Sequence, residues 1–263
     1  MFTDVVTVLA PGVAEYMARE SVTMSSESGR SEAPVAILVT GPSSSGKSTL
    51  CRALQERLSI LADGDPTAIY ARVAFDDIVA LIPDTLYPIS FVALNGGDLG
   101  RLASRQPYDG RAAWEYLDDQ SDPPGEQDDS PRIRLVMSPH TRGLLTGIHR
   151  GWGEHLRLGT NLVIDHFLQD ADWSQEVLEV LRDAGARTLL VGVFCSVSEL
   201  ERRESSRADG GVEGRPLGLA RHSSELCHGQ GLDYDVRIRT DQQTTAESVD
   251  AIIAALPDAA TPR

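Results

Sequence analysis

Pro34-Val-Ala-Ile-Leu-Val-Thr-Gly41-Pro42-Ser43-Ser44-Ser45-Gly46-Lys47-Ser48-Thr49-Leu50 decides the reading of this chain. The apolar, β-branched run Val35 to Val39 enters a Gly-x-x-x-x-Gly-Lys-Ser loop, and a helical pattern leaves it. Leu50, Leu54, Leu58 and Leu61 recur at helical spacing until Asp63-Gly64 ends the helix. Strand before and helix after is the setting that a phosphate-cradling loop requires. Its backbone N–H groups point inward as a nest, and the helix behind it turns its positive end toward the anion. Gly41 and Gly46 allow the tight turn and the close approach. Lys47 brings a point charge to the β- and γ-phosphates, and the Ser48 hydroxyl is suited to Mg²⁺. Gly41, Pro42, Ser43, Ser44, Ser45, Gly46, Lys47, Ser48 and Thr49 are therefore the candidate nucleotide-binding residues. The alternative, a serine-rich surface turn that binds nothing, is disfavoured by the flanking strand and helix.

The 263 residues allow one large domain or two small ones. Lys and Arg number 24 against 39 Asp and Glu, a net charge of −15. A duplex-binding protein needs a basic face, so no nucleic-acid partner is expected. An anionic membrane surface is disfavoured for the same reason. The three cysteines, Cys51, Cys195 and Cys227, are widely spaced and form no Cys-x-x-Cys. They read as buried hydrophobes in a reducing compartment. No apolar run is long enough to span a bilayer, and Asp4 stands where a secretory signal carries basic residues. A cytoplasmic location is expected.

Outward from the loop, residues 1–33 read as an N-terminal extension. Phe2, Val5, Val6, Leu9, Val13, Tyr16 and Met17 form a loosely helical apolar face suited to docking on the core or on a second subunit, which leaves a homo-oligomer open. Ser21 to Ala33 has the composition of a flexible linker. Residues 34–263 then form the body. Ala68 to Phe75 reads as a strand, Ile78 to Ile82 as a short helix stopped by Pro83, and Tyr108 to Leu117 as helical. Residues 90–137 look like an insertion, with an acidic, Pro-rich loop from Asp118 to Pro131. Pro139 to Leu158 is a helix, Asn161 to Asp165 a strand, and Trp173 to Ala184 a helix. Thr188 to Cys195 is a strand buried on both faces. Ser196 and Glu199 read as a capping box, Arg207 to Gly214 as a mobile loop, Arg215 to His228 as helical, and Tyr234 to Thr240 as the last strand. Thr244 and Glu247 cap a final helix. The alternation gives an α/β fold, a doubly wound parallel sheet of about five strands with helices on both faces. Ligands of such sheets sit beyond the carboxyl ends of the strands.

Two carboxylates fall at those ends. Asp76 closes the second strand, where it could accept a proton from an acceptor hydroxyl; the alternative is that Asp76 or Asp77 merely caps the short helix. Asp165 follows an apolar strand as a Walker B carboxylate does, a second metal-binding candidate with Ser48; helix capping is its rival role. Arg202, Arg203, Arg207, Arg215 and Arg221 are dense for an acidic chain. Arg207 and Arg215 flank the glycines and are the candidates for a lid that closes over a triphosphate, whereas Arg202 and Arg203 are expected to face solvent. Asp76, Asp77 and Arg142 are the candidates to contact an acceptor, and His166 either lines the acceptor pocket or is an ordinary histidine. No zinc-spaced histidine pair and no Gly-x-Ser-x-Gly occur.

As a set, these residues resemble the chloramphenicol phosphotransferase family of P-loop kinases. The resemblance rests on the Gly-Pro-Ser-Ser-Ser-Gly-Lys-Ser loop and on Val73 to Pro83, an Asp-led helix ending in Pro. Ser138 to Arg142, Val163 to Asp165, Val191 to Cys195, and Arg215 through His228 to Val236 carry it further. It implies a P-loop kinase-like fold with an Arg-bearing lid, Asp76 as general base, and Arg215 as the arginine that senses phosphate. Implied too are Mg²⁺, ATP (or GTP) as co-substrate, and O-phosphorylation of a small molecule, an antibiotic, in resistance or self-protection. The chain departs from the family in its N-terminal extension, in the long 90–131 region, and in carrying Asp165-His166 where two acidic residues stand. The acceptor therefore stays open. A metabolic or sugar-nucleotide kinase, shikimate-kinase-like or zeta-toxin-like, is the alternative enzyme, and a nucleotide-binding switch is the alternative outside enzymes.

Overall fold

The computed structural model describes residues 33–65, 68–83, 86, 111–118, 132–209 and 217–256. Five parallel strands form the central sheet: β1 (Val35–Thr40), β2 (Tyr70–Ala74), β5 (Asn161–His166), β6 (Arg187–Phe194) and β7 (Val236–Arg239), in the order β2-β5-β1-β6-β7. A separate antiparallel pair joins β3 (Trp114–Asp118) to β4 (Ile133–Met137). The helices are α1 (Lys47–Leu61), α2 (Pro139–Arg157), α3 (Ala171–Asp183), α4 (Val197–Asp209), α5 (Leu219–His228) and α6 (Thr245–Ala254), with a 3-10 helix at Phe75–Leu81. No described helix is long and apolar enough to cross a membrane.

The strands are buried on both faces, and their period of two divides the core into halves. Val35, Ile37, Val39, Val163, Val191 and Val193 turn to one side, where Leu50, Leu54 and Leu58 of α1 meet Val249 and Ile252 of α6. Ala36, Leu38, Leu162, Ile164 and Leu190 turn to the other, against Leu145, Trp152 and Leu156 of α2 and Trp173, Val177 and Leu181 of α3. The doubly wound reading is thereby realised. Cys51, Cys195 and Cys227 are all buried and free.

Local chemistry sets most helix starts. Ser138 accepts the Thr141 amide ahead of Pro139, Asp170 accepts the Trp173 amide, and Thr244 and Glu247 form the expected capping box. The Ser196–Glu199 box does not form. Glu199 turns instead to Arg202 and Arg203, and the Ser196 amide is taken by Asp241. A full charge outcompetes a neutral amide for a carboxylate.

A second correction concerns Tyr108 to Leu117. The described part from Trp114 onward is strand β3, because Trp114, Tyr116 and Leu117 find partners across the pair in Met137, Leu135 and Arg134. The apolar features of residues 1–32 and most of the 90–131 region lie outside the described residues.

Leu54 has no solvent exposure and sits in the α1 half of the core. Leu54→Ala is expected to lower unfolding free energy by about 2–5 kcal/mol, read from urea denaturation. A loss below about 1 kcal/mol would show that α1 is not anchored through this face.

Candidate active site

The loop from Gly41 to Lys47 joins β1 to α1, and its backbone takes values that few residues adopt. Gly46 has φ of 89° and Ser44 a φ of 62°. A Cβ on Gly41 would lie 2.4 Å from the Val193 carbonyl oxygen, so β6 and the loop can approach only with glycine there. Unlike α2, α3 and α6, α1 begins without a side-chain cap and without an acidic residue in its first turn. Its positive end is left for something outside the helix.

Side chains from distant elements hold the loop's peptides. Thr240 Oγ1, just beyond β7, donates to the Ser45 carbonyl at 2.7 Å, and Arg203 Nη1 of α4 reaches the same oxygen at 3.4 Å. A trans peptide directs its C=O and N–H oppositely. Drawing the Ser45 carbonyl outward therefore turns the Gly46 N–H inward. Lys47 Nζ donates to the Pro42 carbonyl at 2.8 Å and lies 5.9 Å from the Phe167 ring centroid. The hydroxyls of Ser44 and Ser45 are buried without a hydrogen-bond partner, polar groups that a phosphate would satisfy.

Arg203 corrects its sequence reading. It does not face solvent: its Nε pairs with Glu199 at 2.7 Å, Nη1 meets Thr240 Oγ1 at 3.1 Å, and Nη2 meets the Thr240 carbonyl at 3.0 Å. Arg202 is largely exposed, as expected, and pairs with Glu199. A cleft of about 390 Å³ opens beside Arg203, lined also by Gly46, Thr49, Ser206, Gln243 and Ser248. Arg207 and Arg215 fall outside what is described, the first in its side chain and the second altogether.

The strand register brings the two carboxylates to the same rim. Val39 pairs with Asp165, and Asp165 pairs with Ala74, two residues before Asp76. At ~4.8 Å per strand, β2 lies roughly 10 Å from β1. Asp165 is buried on the α1 side of β5, close enough to raise the Cys51 thiol further after burial has done most of it. Asp77 accepts the Ala74 amide at 2.8 Å and so takes the turn-capping role, while Asp76 is exposed beside it.

On the opposite face, His166 has no solvent exposure and does not line a pocket. Its alternation with Asp165 sends it into the core. There its Nε2 lies 2.8 Å from His149 Nε2, and His149 Nδ1 lies 2.5 Å from Glu176. Glu176 also takes Arg142 at 2.7 Å. Burial outweighs the pull of Glu176 on His149 and pushes its pKa down; burial, then His149, push His166 down further. For Glu176, burial raises the pKa, but Arg142 and His149 outweigh it and the net direction is down. An ionised Glu176 makes His149 donate from Nδ1, so His149 Nε2 accepts from His166. Arg142 lies 5.8 Å from the Trp173 ring centroid and lines a second cleft of about 280 Å³ with Arg134, Met137, Gln169 and Asp170. Trp173 stacks on Phe75, the residue before Asp76, with centroids 5.7 Å apart.

Arg203, Thr240, His149 and Glu176 were missed by the sequence reading, which followed strand ends and glycines. A dense arginine run was the one available signal, and it pointed to Arg203 only as a member of the group.

Comparison with known proteins follows from this geometry. A family model described as chloramphenicol phosphotransferase-like protein matches residues 119–257, just over half of the chain. No curated protein matches. Among solved structures, a candidate kinase from Chloroflexus aurantiacus j-10-fl is 14% identical with a TM-score of 0.51, covering 86% of this chain and 100% of that one. An APS kinase from Mycobacterium tuberculosis, in complex with AMPPNP and APS, is 14% identical with a TM-score of 0.47, covering 85% and 97%. A gluconokinase from Sinorhizobium meliloti 1021 is 17% identical with a TM-score of 0.46, covering 84% and 91%. The first shares the fold, that of P-loop kinases.

The buried histidines give a pH prediction. His149 and His166 are lowered, and burial brings His228 down to about 4 from 6.5. The unfolded chain then binds protons below about pH 6.5 that the folded chain refuses, so stability is full above that pH and falls toward pH 5. Urea midpoints at pH 8, 6.5 and 5 should decline over the last interval; a flat profile contradicts neutral burial.

Proposed function

Because the chain belongs to the chloramphenicol phosphotransferase-like protein family, we propose that it transfers the γ-phosphate of ATP to a hydroxyl group on a small molecule, an antibiotic. One observation carries the reading. The Ser45 carbonyl, drawn outward by Thr240 and Arg203, leaves an uncapped helix end and inward amides on the same sheet rim as Asp165 and Asp76.

In this reading the loop amides and Lys47 bind the β- and γ-phosphates, and Lys47 exchanges the Pro42 carbonyl for phosphate oxygen. The base occupies the cleft beside Arg203, whose edge donors are spent on Glu199, Ser45 and Thr240, leaving its flat face for stacking. Ser48 and Asp165 offer a hydroxyl and a carboxylate, oxygen donors that would suit Mg²⁺. When bound, Mg²⁺ neutralises charge on the transferring phosphoryl group.

The acceptor approaches from the β2 side. Asp76, at the end of β2, orients its hydroxyl and takes its proton, while its neighbour Asp77 holds the turn. Phe75 and Trp173 connect that carboxylate to the cleft lined by Arg142, which contacts the acceptor. Arg215, and Arg207 with it, close over the triphosphate. The N-terminal extension, residues 1–33, lies outside the catalytic body of residues 34–263.

The test is phosphate transfer from γ-labelled ATP with Mg²⁺ to chloramphenicol and other hydroxylated antibiotics, with the product identified by mass as one phosphoryl group heavier. Lys47→Ala should abolish nucleotide binding. Asp76→Asn should retain it while transfer falls by about 10²–10⁴-fold. Undiminished transfer by Asp76→Asn removes that residue from the base role, and inert hydroxylated antibiotics remove the acceptor class.

A further inference from the structure

α5 reaches the phosphate-binding loop through a residue far outside the motif. The Ser43 amide donates to Ser223 Oγ at 3.0 Å, a buried contact between residues 180 apart in sequence. Ser223 donates its own proton to the Ala220 carbonyl at 3.1 Å, which commits its oxygen to accept from the loop. The amide it holds belongs to the Pro42–Ser43 peptide. The other end of that peptide, the Pro42 carbonyl, accepts Lys47 Nζ at 2.8 Å. No peptide bond among the described residues is cis. Fixing the N–H on Ser223 therefore aims the carbonyl the opposite way, at Lys47.

Ser223 is itself well anchored. The Glu204 carboxylate of α4, buried, accepts the Gly218 and Ala220 amides at 2.8 and 2.7 Å and so caps the start of α5. Arg221 pairs with Glu201 across the same two helices at 2.6 Å. The hydroxyl therefore stands on a helix fixed at its first turn.

We propose that Ser223 is a positioning residue for the nucleotide site: it sets the plane of the Pro42–Ser43 peptide and, through that peptide, the resting place of Lys47. The inference rests on the reading of the loop as a nucleotide site. It makes triphosphate affinity depend on a hydroxyl borne by the helix that follows the arginine-bearing segment. Without that hydroxyl a buried N–H loses its acceptor, and the peptide keeps only the contacts of its carbonyl with Lys47 and the Ser45 amide, so Lys47 is held less firmly.

Calorimetric titration of the full chain with Mg²⁺ and AMPPNP tests this. Ser223→Ala and Ser223→Cys should each weaken binding by about 5–10-fold, as one buried hydrogen bond of about 1 kcal/mol predicts. The cysteine keeps the packing volume and guards against a misfolded alanine variant. Ser223→Thr, which keeps the hydroxyl, should bind within threefold of the wild-type chain. Alanine and cysteine variants that are folded by circular dichroism and bind within twofold of wild type overturn the proposal, as does a threonine variant as weak as alanine. A merely structural role would lower unfolding midpoints and leave the affinity of the folded protein alone. Wild-type protein that fails to bind AMPPNP refutes instead the nucleotide reading beneath it; Lys47→Ala serves as the non-binding control.

Discussion

The structure turns on the orientation of peptides that carry no side-chain information. A phosphate nest exists only if successive N–H groups face one point, and each N–H is opposed by the carbonyl of the preceding residue. Pointing the amides inward therefore means finding acceptors' partners outward. Thr240 and Arg203 supply them for Ser45, whereas the Pro42–Ser43 peptide gives its N–H to Ser223 and its carbonyl to Lys47. The positive φ values at Ser44 and Gly46 are the backbone's share of the same demand. The loop is thus a tertiary object, held from β7 and α4 as much as from its own strand and helix.

That explains which parts of the molecule the sequence could show. Val35 to Thr40 and Lys47 to Leu61 announce themselves because a buried strand, a glycine turn and an amphipathic helix are local patterns. The remaining sheet strands follow from the same alternation, and Thr244 with Glu247 is read correctly because both halves of the box lie within one turn. β3 is different. Trp114 to Leu117 has too short a pattern to separate strand from helix, and its partner Met137 lies beyond an acidic segment that hides the pairing.

The site divides in the same way. Asp76 and Asp165 stand at strand ends, where position alone nominates them, but position cannot say which of Asp76 and Asp77 caps the turn; the Ala74 amide on Asp77 does. Arg203 looked like one more surface arginine because Ser45 is 158 residues away and Thr240 is 37. His166 carried a period-two signal that was available and underweighted: its neighbour Asp165 faces α1, so His166 had to face the other half of the core. There it meets His149, a histidine on the α2 stripe otherwise read for its leucines.

The distribution of uncompensated charge carries the argument one step further. Ionised groups removed from water need partners, and most of this protein's inner carboxylates have them. Glu204 is capped by two amides of α5, and Glu176 is held by Arg142 and His149. Asp165 is as buried as Glu204, yet no hydrogen bond or ion pair to its carboxyl group is seen among the described residues. The Ser44 and Ser45 hydroxyls beyond the neighbouring strand are likewise unpartnered. This rim gathers a buried carboxyl group, two unpartnered hydroxyls and an uncapped helix end in one place. A cation and a polyanion bound at once would satisfy all of them, whereas either alone would leave the other's counterpart buried and unpaired.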